Sequence, residues 1–119
     1  HSYKLNVTVI GTPINNPDDV KNGMIIDFSD LKKIVRDEIV VPFDHATVLN
    51  YKSPHKLMAD EMERRGNKII KVDFQPTCEM LVIDFAEKIK KKLPSNIALY
   101  SLKLTETATA YAEWYESDN

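Results

Sequence analysis

The sequence predicts an α+β domain with helices packed on one face of an antiparallel sheet. Two-residue alternations stand near the start and at the end of the chain. Between them lie apolar stripes at helical spacing. No internal repeat, linker or low-complexity tract interrupts the 119 residues, so 1–119 reads as one domain.

Tyr3, Leu5, Val7 and Val9 alternate with Lys4, Asn6 and Thr8, which predicts a half-buried strand ending at Gly11. The stretch TPINNPDDVKNG, rich in Pro, Asn and Asp, reads as a long turn. Asp27 is placed to cap a helix whose apolar stripe is Phe28, Leu31, Ile34, Val35 and Ile39. Residues 42–50 read as a loop. Ser53 and Pro54 then suit the N-cap and first position of a shorter helix, with Leu57, Met58 and Met62 as its stripe and Gly66 at its end. KIIKVDF is a short strand or extended piece. Thr77 caps a third helix, buried through Leu81, Val82, Phe85, Ile89 and Leu93 and stopped by Pro94. IALYSLKLTE and AYAEWYE form a closing hairpin. A sheet of these strands is one short of covering two helices, so a strand is expected upstream of Tyr3 and the domain is expected to be N-terminally incomplete.

Net charge is −2, and the one basic run, Lys90-Lys91-Lys92, suits the last turn of a helix. A mildly acidic field argues against a nucleic-acid partner. No apolar stretch approaches the roughly 20 residues of a membrane span, so no membrane partner is expected. The single cysteine, Cys78, excludes an intrachain disulfide. With no signal-peptide pattern, it points to a reducing, cytoplasmic setting.

One stretch, VPFDHATVLN, sets two titratable groups, Asp44 and His45, at the end of the apolar run Ile39–Phe43. A buried Asp is costly unless paired. A carboxylate beside an imidazole favours its charged form and makes a proton relay. The simpler reading is a loop Asp next to a solvated His.

Several stretches decide between these. HSYKLNVTV opens the chain, GMIIDFSDLKK begins the first helix, and PFDHATVLN, PTCE and LTETATAYAEW follow in order. Together they resemble the 6-pyruvoyl-tetrahydropterin synthase and 6-carboxytetrahydropterin synthase family. Its patterns run roughly His-Gly-His-Asn-Tyr, Gly-Met-Val-x-Asp-Phe-x-x-Leu-Lys, Leu-Asp-His-x-x-Leu-Asn, Pro-Thr-x-Glu-Asn and Glu-Thr. The resemblance covers nearly the whole chain.

It implies a T-fold: a four-stranded antiparallel sheet of two hairpins with two long helices on one face. Subunits join their sheets into a barrel, as trimers stacked into hexamers. Zinc is the implied cofactor. His1 matches the last His of the family's zinc pair; the other two ligands and the family's base cysteine lie upstream in the pattern. Cys78 is not that cysteine, because it falls in Pro-Thr-x-Glu. Asp44 and His45 match the catalytic Asp-His step that moves protons on the substrate's side chain. Glu106 matches the carboxylate that anchors the pterin, whose N–H and amino group suit a bidentate acceptor. Thr77 and Cys78 match positions that meet the pterin ring, and Glu79 braces the helix start.

The implied activity is a zinc-dependent lyase acting on 7,8-dihydroneopterin triphosphate. The product is 6-carboxytetrahydropterin, on the route to queuosine and related deazapurines, or the 6-pyruvoyl compound. The segment YKSPHKLMADEMERRGNKIIKVDF resembles inserts of the deazapurine branch. A rival from another class is a T-fold module that holds a pterin without turnover.

Overall fold

In the computed structural model, which describes residues 3–52 and 56–119, the main sheet has three antiparallel strands. They are β1 (Lys4–Gly11), β4 (Ile97–Thr107) and β5 (Ala110–Tyr115), in the order β1-β4-β5. The predicted first strand and closing hairpin are therefore present, and β4 is the central strand. Two β-bulges shape it. Thr8 faces Ser101 while Val9 faces Leu99, which leaves Tyr100 as an extra residue on β4. That insertion moves the buried parity from Ile97 and Leu99 to Leu102 and Leu104. Without it Ser101 and Lys103 would face the core. The second bulge lies at Glu106.

The helix layer is built from two long pieces. α1 (Phe28–Val35) runs into a π-helical turn (Arg36–Val40) and then α2 (Val41–Phe43). Asp27 caps this helix as predicted: its Oδ1 accepts the Ser29 amide at 2.9 Å and the Ser29 hydroxyl at 2.8 Å. Those two bonds pull the Asp27 carboxyl below its ordinary value. The sequence reading placed a loop at residue 42, yet helix continues through Pro42 to Phe43. Proline lacks an N–H, and its ring crowds the carbonyl four residues back. The π-turn absorbs this, because Val41 donates instead to the carbonyl of Arg36, five residues back. The second long piece is α4 (Cys78–Lys90), with Thr77 as N-cap.

α4 lies on the sheet. Leu81, Val82, Phe85, Ala86 and Ile89 pack against Leu99, Leu102, Leu104, Ala112 and Trp114, with Ile39 from the π-turn closing the cluster. Leu93 packs at its margin. Each of the largest fully buried chains (Ile89, Leu102, Leu104 and Val82) contributes about 1.5–3 kcal/mol by leaving water. Phe43 meets Phe85 edge-on at 4.9 Å and ties α2 to α4. One stripe residue departs from expectation: Phe28 is 84% exposed. It stands with Leu31, Val35 and Val40 along an open groove facing Leu5 and Val7 of β1.

A second unit was only half anticipated. β2 (Thr47–Asn50) pairs in parallel with β3 (Ile69–Val72), with α3 (Lys56–Arg64) as the crossover. Part of the predicted 42–50 loop is therefore a strand. Four residues with one polar-to-apolar swap show too little alternation to read, and their partner lies 22 positions away. α3 ends as predicted. Gly66 has φ +90°, its N–H bonds the Glu63 carbonyl at 3.0 Å, and the Asn67 N–H bonds the Met62 carbonyl at 3.0 Å. Its buried residue is Ala59, whereas Leu57 and Met58 of the predicted stripe stay exposed. A small residue at that point lets the short helix approach its two strands. Ser53, Pro54 and His55 lie outside the described residues, and so does His1.

Candidate functional site

One candidate site lies at the end of β4 where α4 begins. Thr105 faces Tyr111 and Thr107 faces Ala110, so Glu106 is the unpaired residue of the bulge. Bulges of this kind re-aim a side chain. Glu106 continues the parity of Leu102 and Leu104, toward the helix layer, and is half-buried. Lys4 pairs with Thr105, which carries Tyr3, on the same β1 face as Leu5, to the level of Glu106. The Cys78 thiol donates to the Leu104 carbonyl at 3.3 Å, fixing the start of α4 over this strand.

The electrostatics record the same convergence. Tyr3 is 48% exposed; its partial burial first, then the charge of Glu106 and the nearby Cys78, raises the phenol above its ordinary value. Burial, then Glu79 and Glu106, raises the Cys78 thiol, against a smaller opposing bond from the Ala112 backbone. A helix N-terminus usually lowers a thiol pKa. Here desolvation and two carboxylates win, so Cys78 stays a neutral thiol at pH 7. It is suited to donate a hydrogen bond rather than to act as a base. Thr77 Oγ1 accepts the Met80 amide at 3.2 Å, so its hydroxyl oxygen is engaged as the cap.

Thr77, Cys78 and Glu106 are thus brought to one place. Tyr3 belongs with them, and it was not singled out from the sequence. The available signal was parity: it is the first member of the alternation whose other members pack against the core.

Asp44 and His45 form a separate group. The helix ends at Asp44, whose amide still bonds the Val40 carbonyl at 2.9 Å. His45 follows with φ +56°, in the left-handed region that a β-carbon disfavours. The apolar run does not bury the pair: the side chains are 65% and 91% exposed. His45 Nε2 lies 3.7 Å from Asp44 Oδ1, close enough for an ion pair but too long for a hydrogen bond. Phe43, just before them, sits on Phe85, two helical turns along α4 from Cys78. Seven residues of helix set Phe85 about 10 Å from Cys78 along the axis.

Among the described residues no group of three or more His, Cys, Asp and Glu could hold a metal ion. The described residues therefore do not form a zinc site by themselves. No helix among them is long and apolar enough to cross a membrane.

Fold and site define a class first: an α+β protein whose candidate site lies where a bulged sheet end meets a helix N-terminus. The chain belongs to the 6-pyruvoyl tetrahydropterin synthase family, whose model matches residues 1–117. It is 31% identical over 117 residues to a 6-carboxy-5,6,7,8-tetrahydropterin synthase of Haemophilus influenzae, covering 98% of this chain and 80% of that protein. A dihydroneopterin monophosphate aldolase of Pyrococcus furiosus is 31% identical over 106 residues, 89% of this chain and 68% of that one. An uncharacterized protein from Wolinella succinogenes, solved by crystallography, shares the fold with a TM-score of 0.67 at 17% identity, over 97% of both chains.

Proposed function

We propose that this protein is a lyase of the pterin synthase family that converts 7,8-dihydroneopterin triphosphate to 6-carboxytetrahydropterin, on the way to queuosine-type deazapurines. The observation that carries the reading is Glu106. Its carboxylate stands at a strand bulge beside the Tyr3 phenol and the Cys78 thiol, both raised above their ordinary pKa values. It can accept two hydrogen bonds from the pterin edge, while Tyr3 and Cys78 offer donors nearby. Relatives named for the carboxy product support that product. A relative named 6-pyruvoyl tetrahydrobiopterin synthase and one named dihydroneopterin monophosphate aldolase favour the second reading, another outcome on a related pterin.

Asp44 and His45 are proposed as the proton relay, completed between copies of the chain. In this reading the sheet belongs to a T-fold barrel, and the assembly is a hexamer of two stacked trimers. Three observations support association. β1 and β5 are edge strands of the sheet. Phe28 and Val40 line an open apolar groove. The radius of gyration is 17.0 Å, against about 13.5 Å for a compact domain of this length. Association would cover such surface and remove the free edges.

Zinc is proposed as the resident metal, with His1 among its ligands. Bound there, it would polarise the substrate's side-chain hydroxyls. The work of the chain's own residues is to orient the ring at Glu106 and to move protons at His45.

The test is incubation of the full-length native protein with 7,8-dihydroneopterin triphosphate, with products identified by mass spectrometry and metal counted by elemental analysis. The expected result is release of triphosphate and acetaldehyde, a 6-carboxytetrahydropterin product and about one zinc per subunit. A 6-pyruvoyl product selects the second reading. Binding of the pterin without turnover, in protein that carries no zinc, leaves the non-catalytic module.

A further inference from the structure

The Asp44–His45 turn is exposed, and its second residue holds an unfavourable backbone conformation. Something must hold it there. Lys68 does so from three directions. Its Nζ donates to the Val41 carbonyl at 2.9 Å and to the Asp44 carbonyl at 2.8 Å. Its own carbonyl accepts the Thr47 amide at 2.9 Å, just past the turn. The first two acceptors sit at the end of the long helix, where intrahelical partners run out and a cation complements the dipole. Lys68 therefore brackets residues 41–47.

Lys68 lies 24 positions from Asp44 in sequence, just ahead of β3. It belongs to the 51–74 segment that resembles inserts of the deazapurine branch. β3 pairs with β2, and β2 begins two residues after His45, so the small parallel sheet fixes the lysine relative to the turn.

We propose that Lys68 is a positioning residue. By bridging the Val41 and Asp44 carbonyls, it holds the left-handed turn that presents the His45 imidazole. This rests on the relay role given above to His45. Lys68 acts through the backbone carbonyls of Val41 and Asp44. Other holders of the turn exist, among them the Ala46 amide on the Phe43 carbonyl at 3.1 Å. That bond closes the turn without engaging the carbonyl of Asp44.

The test compares Lys68→Met, which keeps the apolar stem and loses the donors, with Lys68→Arg, whose guanidinium can again donate to two carbonyls. Both are made in the full-length assembled enzyme. Lys68→Met is expected to lower kcat on the order of 10- to 100-fold, the range that misplacement of a catalytic group produces. KM should stay within about twofold, because Glu106 and the ring contacts are untouched. Lys68→Arg should restore most of kcat. The 13Cε1 NMR signal of His45, assigned with His45→Ala, should shift in Lys68→Met and return in Lys68→Arg. That readout needs no substrate.

An unmoved His45 signal overturns the inference. So does wild-type kcat in Lys68→Met when His45→Ala is impaired. A loss in Lys68→Met that tracks a fall in thermal midpoint and is not rescued by arginine makes the lysine merely structural, which also overturns it. A shifted signal with full turnover in His45→Ala keeps Lys68 as the holder of the turn and removes the relay reading instead.

Discussion

The sheet end around Glu106 and the turn at Asp44–His45 hold their side chains by opposite means. Glu106 is placed by the core. Its strand is the central one, its neighbours Leu102 and Leu104 are among the most buried residues, and α4 is pinned to the same strand by Cys78. Asp44 and His45 are placed by a periphery: a proline-bearing helix end, a two-stranded parallel sheet and one exposed lysine. In the reading proposed above, Glu106 is a binding group that gains from a rigid frame, and His45 is a proton-moving group on an exposed mount that approaches substrate from a neighbouring copy. The first should tolerate changes at the turn, and the second should tolerate changes at the sheet end.

The sharpest way to break this division is His45→Ala. It is expected to lower kcat by about 10²–10⁴-fold, the usual contribution of a positioned acid or base, with substrate affinity nearly unchanged. Asp44→Asn should act in the same direction and more mildly, by removing the charge 3.7 Å from the imidazole. Steady-state kinetics check both. If turnover survives in His45→Ala, the turn is a structural feature only. Glu106→Gln should do the converse. It puts a donor where the pterin amino group needs an acceptor, and binding should weaken by about 2–5 kcal/mol with the fold intact. Ligand titration that finds unchanged affinity removes Glu106 from the site.

The smallest effect sharpens the comparison. Thr77→Ala removes the cap of α4 and should cost about 1 kcal/mol of stability, a shift of about 4 °C in thermal midpoint for a domain of this size. Because the cap sits at the sheet end, pterin affinity should fall with it while kcat at saturation holds. Loss of kcat alone would place Thr77 with the wrong group.

Much of the frame was legible because its signals are local. Asp27 and Thr77 announced the helix starts they occupy, since a cap needs only the next few amides. The parity of β1 marked a strand of the sheet, and the stripe from Leu81 to Ile89 marked the helix on it. Glu106 and the Asp44–His45 pair were singled out through motif order, and the local pattern gave no hint that one is half-buried and the other exposed.

Short-range physics accounts for what was legible in the sequence alone: two-residue and 3.6-residue periods, caps, and the glycine at the end of α3. The tertiary structure alone decided the rest. The extra residue Tyr100 switches the buried face of β4, which depends on how β1 registers against it. Helix passes through Pro42 because a π-turn gives the ring room. β2 is a strand because β3, beyond α3, offers it a partner. Tyr3 joins Glu106, and Lys68 holds a turn 24 residues away, because chain folding sets such distances and local propensity cannot encode them.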